Sequence, residues 1–161
     1  MSDMIEIYID MIESVQHRAT RMIPGFAKLT YEERLKRMKL PTLAYRRARG
    51  DAIEVFKYFH NIYRVDSTQL SPLRDTDRQG MRTRGHSLML LKRECSGRLR
   101  QNFFSMRVVS MWNSLPDNVV MSSSVNCFKG RFDRACEHQK YRMEWDEFRG
   151  CDDIRMRNRE D

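Results

Sequence analysis

The sequence predicts a mainly α protein, a helical bundle, and three observations carry that reading. Apolar residues recur at three- and four-residue steps in four separate stretches. Seven Gly and four Pro in 161 residues are too few turn formers for a many-stranded sandwich. Eight Phe, six Tyr, two Trp and twelve Met supply core volume, although the hydrophobic content of 40% is lean. A small β-hairpin and a charged, disordered tail are expected beside the helices.

The first helix is expected over 3–23. Its stripe is Met4, Tyr8, Met11, Ile12, Val15, Ala19, Met22 and Ile23. Asp3 can cap it, and Pro24-Gly25 stops it. Thr30 and Glu33 form a capping box that opens a short second helix. There Leu35 and Met38 should point inward, with Arg34, Lys36, Arg37 and Lys39 outward. Leu40-Pro41 ends it, and Thr42 caps a third helix over about 43–63. The third stripe is Tyr45, Ala48, Ala52, Phe56, Phe59 and Tyr63, widened by Ile53 and Ile62. Gly50 weakens this helix by about 1 kcal/mol relative to Ala.

Residues 64–82 are polar and read as an exposed linker. Residues 86–92 and 98–103 are the two arms of the expected hairpin, joined through Ser96-Gly97. A helix over 103–115 carries Phe104, Val108, Met111, Trp112 and Leu115 on one face, and Pro116-Asp117 ends it. The last helix, about 125–140, carries Val125, Phe128, Phe132, Ala135 and Cys136. The organisation expected is therefore a helical segment 1–63, the linker 64–82, hairpin plus helices over 83–138, and a disordered charged tail over 139–161.

The chain is basic, with a net charge of +8, and the charge is segregated. Residues 15–49 hold ten Lys or Arg against two acids, and residues 81–115 hold seven against one. A surface built this way suits a polyanion, most often nucleic acid. Arg18 and Arg21 also have a local explanation, since cations favour the negative end of the first helix. A solvated helix face is the plain alternative for Arg34, Lys36, Arg37, Lys39, Arg46, Arg47 and Arg49. Phosphate contacts by these residues would carry little sequence information.

Catalytic and metal patterns are sparse. The four cysteines, Cys95, Cys127, Cys136 and Cys151, form no Cys-x-x-Cys pair. Cys136-x-His138 is the nearest approach to a metal site and lacks a second pair, so no metal and no cofactor are expected. With Asp3 and Glu6 in place of a basic, then apolar, opening, no secretory signal is read, which places the thiols in a reducing, intracellular setting. No apolar run of membrane-spanning length occurs. Ser87 follows His86 directly, and neighbours in an extended segment point to opposite faces, so the pair is no nucleophile and base. Gly-x-Ser-x-Gly elbows and phosphate-cradling Gly-rich loops are missing. The aromatics fall on core stripes, which favours burial over base stacking.

Six blocks carry a resemblance. They are Val15-Gln-x-Arg18-Ala19-Thr20-x-Met22-Ile23-Pro24-Gly25, Leu29-Thr-Tyr-Glu-Glu-Arg-Leu35, and Leu40-Pro-Thr-Leu-x-Tyr45-Arg46-Arg47-x-Arg49-Gly50-Asp51. Arg84-Gly-His-Ser87, Asn102-Phe-Phe-Ser-x-Arg107-Val-Val-x-x-Trp112-Asn-Ser-Leu-Pro116 and Ser124-Val-Asn-x-Phe128-Lys129 complete the set. In this order they resemble the C-terminal part, the thumb and post-thumb region, of reverse transcriptases (RNA-directed DNA polymerases) from jockey-like non-LTR retrotransposons. The resemblance covers about residues 12–135. It implies a thumb-like role for 1–63 in holding a template–primer duplex, and an upstream origin for the polymerase palm. His17 stands where such elements usually carry Arg or Lys, and residues 139–161 depart from the usual short ending.

Two-metal polymerase chemistry needs carboxylates at a tight turn between apolar strands. The one Asp-Asp pair, Asp152-Asp153, is flanked by Arg149, Arg155, Arg157 and Arg159 instead. The expectation is a non-catalytic fragment that binds RNA, DNA or an RNA–DNA hybrid through its backbone, in the nucleus if the resemblance extends to place. The expected contacts are Arg18, Arg21, Lys28, Arg34, Lys36, Arg37, Lys39, Arg46, Arg47, Arg49, Arg84, Arg98, Arg100 and Arg107. The alternatives are a helical protein-interaction module and a functionless translated remnant.

Overall fold

The protein is described by a computed structural model over residues 3–63, 86–92, 100 and 102–141, with side chains from residue 11 onward. The described residues are mainly helical. They form α1 (Asp3–Arg21), α2 (Tyr31–Met38), α3 (Leu43–Phe59), α4 (Phe104–Ser114), α5 (Asp117–Val120) and α6 (Val125–Ala135), followed by a 3-10 turn at Glu137–Gln139. Two compact units divide them. Unit 1 comprises Met1–Arg47 and His138–Trp145, and unit 2 comprises Ala48–Glu137 and Asp146–Asp161. The linker 64–82 and residues 142–161 of the expected tail lie outside the described residues.

In unit 1 the punctuation signals act as their chemistry requires. Gly25 takes φ +82° after α1, a conformation glycine adopts without steric cost. Thr30 accepts the Glu33 N–H at 3.3 Å while its own N–H donates to Glu33 Oε2 at 2.8 Å, completing the capping box. Lys39 closes α2 in the left-handed conformation, φ +53°. Thr42 caps α3 by accepting the Tyr45 N–H at 3.2 Å. The Thr42 N–H in turn donates to the Lys140 carbonyl at 3.1 Å, so residue 140 belongs to the folded unit and not to the tail.

The orientation of α1 corrects the expectation. Over residues 11–21 its buried side is polar. Glu13 and Thr20 are buried, with Gln16 and His17 partly so, and these four stand at i, i+3, i+4 and i+7. The expected stripe residues Met11, Ile12, Val15 and Met22 are exposed. The polar seam is tolerated because its buried groups are hydrogen-bonded. Glu13 Oε1 accepts the Tyr31 hydroxyl at 2.6 Å, and Glu13 Oε2 accepts the Leu43 N–H at 2.9 Å. Gln16 Nε2 donates to the Pro41 carbonyl at 3.1 Å.

Unit 2 is built on a ring cluster. Trp112 is fully buried, 5.5 Å from Phe59, 6.1 Å from Phe128 and 5.8 Å from His86 between ring centres. Phe56 stacks on Phe128 at 4.5 Å, and Phe128 meets Phe132 at 5.9 Å. Ala52, Ile53, Val55, Leu90, Val108, Val109, Met111, Leu115, Val119 and Val120 complete the core. The α4 stripe is as expected at Val108, Met111, Trp112 and Leu115. Tyr63 departs from its expected place on the α3 stripe, because its hydroxyl bonds Glu54 and Lys57, each at 2.9 Å. The last helix also ends early, at Ala135, where Cys136 donates its N–H to the Phe132 carbonyl. Asp117–Val120, expected only as a stop, forms α5 and buries Val119 and Val120.

The hairpin expectation is corrected as well. Residues 86–92 form no strand, only one bridge position at Leu90. A side chain bonds the backbone there. Leu90 N–H donates to Asn113 Oδ1, and Asn113 Nδ2 donates to the Leu90 carbonyl, both at 2.8 Å. Trp112 Nε1 donates to the Leu88 carbonyl at 2.7 Å, and His86 Nε2 donates to the Trp112 carbonyl at 2.9 Å. These bonds tie the segment to the end of α4. In the other arm, 98–103, residues 98, 99 and 101 lie outside the described residues.

Candidate nucleic-acid interface

The expected contact residues sort by what each already touches. Arg34, expected outward, is instead buried, 3% exposed. Its Nε donates to Thr20 Oγ1 at 3.2 Å and its Nη1 to the Leu29 carbonyl at 2.6 Å. Its guanidinium lies 5.6 Å from the Tyr31 ring centre. Arg34 is therefore a structural cation that ties α2 to α1, and it leaves the contact set. Met38, expected inward, is 38% exposed.

Two more arginines, both in unit 2, are held by carboxylates. Arg49 of α3 makes a bidentate pair with Asp133 of α6 at 2.5 and 2.8 Å. Arg107 of α4 makes a second with Asp51 of α3, both contacts at 2.8 Å, and its Nη1 donates to the Asn102 carbonyl at 2.9 Å. Asp51 raises the already high Arg107 pKa further, opposed by burial. Such forks fix helix against helix. Arg100 is exposed, and Arg84 and Arg98 lie outside the described residues.

The remaining candidates lie in unit 1 and are exposed: Arg18, Arg21, Lys28, Lys36, Arg37, Lys39, Arg46 and Arg47. Between residues 11 and 47 the carboxylates are Glu13, Glu32 and Glu33. Glu13 is enclosed in the seam. Glu32 pairs with Lys36 at 2.7 Å. Glu33 is bound to Thr30, whose N–H and hydroxyl hold its carboxyl below the ordinary value, with lesser help from Arg37 and Lys36. The outer face of α2 is consequently half compensated. Lys28, Lys39, Arg46 and Arg47 have no carboxylate partner among the described residues. Lys28 precedes α2, while Lys39, Arg46 and Arg47 flank the connection from α2 into α3.

The start of α3 itself is closed to a phosphate, because Glu13 and Thr42 already accept its Leu43 and Tyr45 N–H groups. Any anion here would be met by side chains. His17 sits at 4.8 Å from the Tyr31 ring, and burial lowers its pKa, with Arg34 and Arg21 adding repulsion. Unfolded chains therefore take up this proton more readily than folded ones. The stability His17 contributes is complete above its ordinary value of 6.5 and is lost as pH falls below it. Urea midpoints measured on both sides of that value should show a loss that His17→Gln reduces. Identical acid sensitivity in the variant contradicts this assignment.

Among the described residues no three His, Cys, Asp or Glu side chains gather as metal ligands. Cys127 and Cys136 take part in no disulfide. No described helix is long and apolar enough to cross a membrane. No known protein family, curated protein or solved structure matches the chain.

Proposed function

We propose that unit 1 grips a nucleic-acid backbone without reading its sequence, and that the chain derives from the thumb and post-thumb region of a non-LTR retroelement reverse transcriptase. The role is one of binding, with no catalytic step. One observation carries the reading: Lys28, Lys39, Arg46 and Arg47 are exposed cations in a unit whose described carboxylates are all engaged elsewhere. Cations solvating an ordinary helix face are usually interspersed with acids, as on α2. The order of the six sequence blocks supports the derivation.

Fluorescence anisotropy with a labelled RNA–DNA hybrid tests the grip. Arg46→Glu combined with Arg47→Glu should weaken binding by tenfold or more (about 1.4 kcal/mol per tenfold). Neither side chain is buried, so the fold should survive. Lys129→Glu with Arg134→Glu changes net charge equally in unit 2 and should have a much smaller effect. Equal losses in the two variants would mean that bulk charge alone is responsible and would overturn the site.

A further inference from the structure

Arg34 is the least expected burial in unit 1. Only 3% of it is exposed, and no carboxylate bonds it among the described residues. A buried cation without a bonded counter-charge is unfavourable, and apolar side chains of similar volume often serve a core as well. Departures of this kind gather at functional sites.

The acceptors around the guanidinium show what it holds. Its Nε donates to Thr20 Oγ1 at 3.2 Å and its Nη2 to the His17 carbonyl at 3.4 Å, both near the end of α1. Its Nη1 donates to the Leu29 carbonyl at 2.6 Å, in the connection between α1 and α2. One rigid plane thus reaches acceptors at three chain positions, a geometry that a lysine ammonium does not reproduce. Inside the connection, the Phe26 N–H donates to the Ile23 carbonyl at 3.0 Å and the Leu29 N–H to the Phe26 carbonyl at 3.1 Å. Those two bonds hold the connection to itself, and the Arg34 bond ties its end to the helices. Lys28, exposed, is the residue immediately before the bonded carbonyl. A cation carried on a fixed backbone loses less freedom on meeting a phosphate than one on a loose loop.

We infer that Arg34 is the positioning residue for Lys28: buried and touching no phosphate itself, it fixes the backbone from which Lys28 meets the nucleic acid. This role rests on the backbone-binding reading and deepens it, since it makes the Lys28 contact depend on a residue outside the contact set. Arg46 and Arg47 stand on α3, which Arg34 does not bond, so their contacts are independent of it.

Anisotropy of the full chain with the labelled RNA–DNA hybrid tests it, at a temperature where circular dichroism shows each variant folded. Lys28→Ala and Arg34→Lys are each expected to weaken binding about fivefold and to make the log–log salt slope shallower by about 1. Arg34→Lys keeps the charge, so its loss reports the fork and not the field. The double variant should bind as each single one does, whereas the losses from Arg34→Lys and Arg46→Ala should multiply, to about 25-fold. Should Arg34→Lys fail to fold, Thr20→Val removes one acceptor of the fork and should show the same coupling to Lys28→Ala with a smaller loss. Wild-type affinity in Arg34→Lys, or losses that multiply in the Lys28 cycle, overturns the positioning role and leaves the backbone-binding reading standing. A wild-type protein that binds no hybrid removes both.

Discussion

Trp112→Ala is expected to lower unfolding free energy by about 3–5 kcal/mol, the cost of emptying a large aromatic site that cannot collapse. The indole is fully buried and touches ring systems contributed by α3 and α6. It also does something a purely apolar side chain could not do. Its Nε1–H satisfies the Leu88 carbonyl, and through that bond the 86–92 segment is held on α4. Trp112→Phe separates the two roles. It keeps much of the ring volume and leaves the Leu88 carbonyl without its donor, at a cost of about 1–3 kcal/mol. Hydrogen exchange should then speed up at the Leu90 amide, which Asn113 covers. A domain with about 5–15 kcal/mol of total stability would be left marginal by the alanine variant. A loss below about 1 kcal/mol for Trp112→Ala would contradict the ring cluster as the centre of unit 2.

Glu13→Ala is the second large effect, at about 3 kcal/mol, and its cause is different in kind. The side chain is 3% exposed and accepts from two donors, the Tyr31 hydroxyl and the Leu43 N–H. Removing it leaves both donors unpaired. Burial, aided by Glu13, pushes the Tyr31 hydroxyl far above its ordinary range, so it remains a proton donor at every physiological pH. Glu13→Gln is the diagnostic variant. It has nearly the same volume, but its amide N–H group must face one of two donors, so it should recover little of the loss. Tyr31→Phe removes only one bond and should cost about 1 kcal/mol. Chemical denaturation monitored by circular dichroism checks the set, and a Glu13→Gln protein as stable as wild type would sink this account of the seam.

Much of the fold is legible in the residues. Pro24-Gly25, the Thr30–Glu33 capping box and Thr42 set helix ends through local chemistry, so these boundaries lie within about two residues of where the sequence puts them. The α4 stripe is legible because one apolar face meets one core. The first helix misleads because two periodic patterns share it. The apolar pattern suggests the core side, while Glu13, Gln16, His17 and Thr20 repeat at the same helical spacing and lie inward. Buried polar seams depend on partners distant in sequence, here Tyr31, Arg34 and Leu43, which no local pattern reveals. The 86–92 segment misleads for a related reason: the side-chain amide of Asn113, distant in sequence, bonds both backbone groups of Leu90.

The candidate site is legible as composition and not as membership. Counting charge locates a basic stretch, but charge alone does not separate Arg34, Arg49 and Arg107 from their neighbours. Arg34 is enclosed by carbonyls and a hydroxyl, and the other two are forked to Asp133 and Asp51. The sequence distance to those acids is 84 residues for Arg49 and 56 for Arg107, which puts such pairing beyond any window of local sequence. On α2 the opposite holds, because Glu32 and Lys36 are four residues apart and their pairing is a simple consequence of helical spacing.

The central claim is that four cations of unit 1, Lys28, Lys39, Arg46 and Arg47, meet phosphates. The measurement that tests it most directly is the dependence of hybrid-duplex affinity on salt concentration. Four phosphate contacts release about four counterions, so log affinity against log salt should fall with a slope of about −3 to −4, becoming shallower by about 2 in the Arg46→Glu, Arg47→Glu protein. A slope near zero, or no binding at the lowest salt tested, would contradict it.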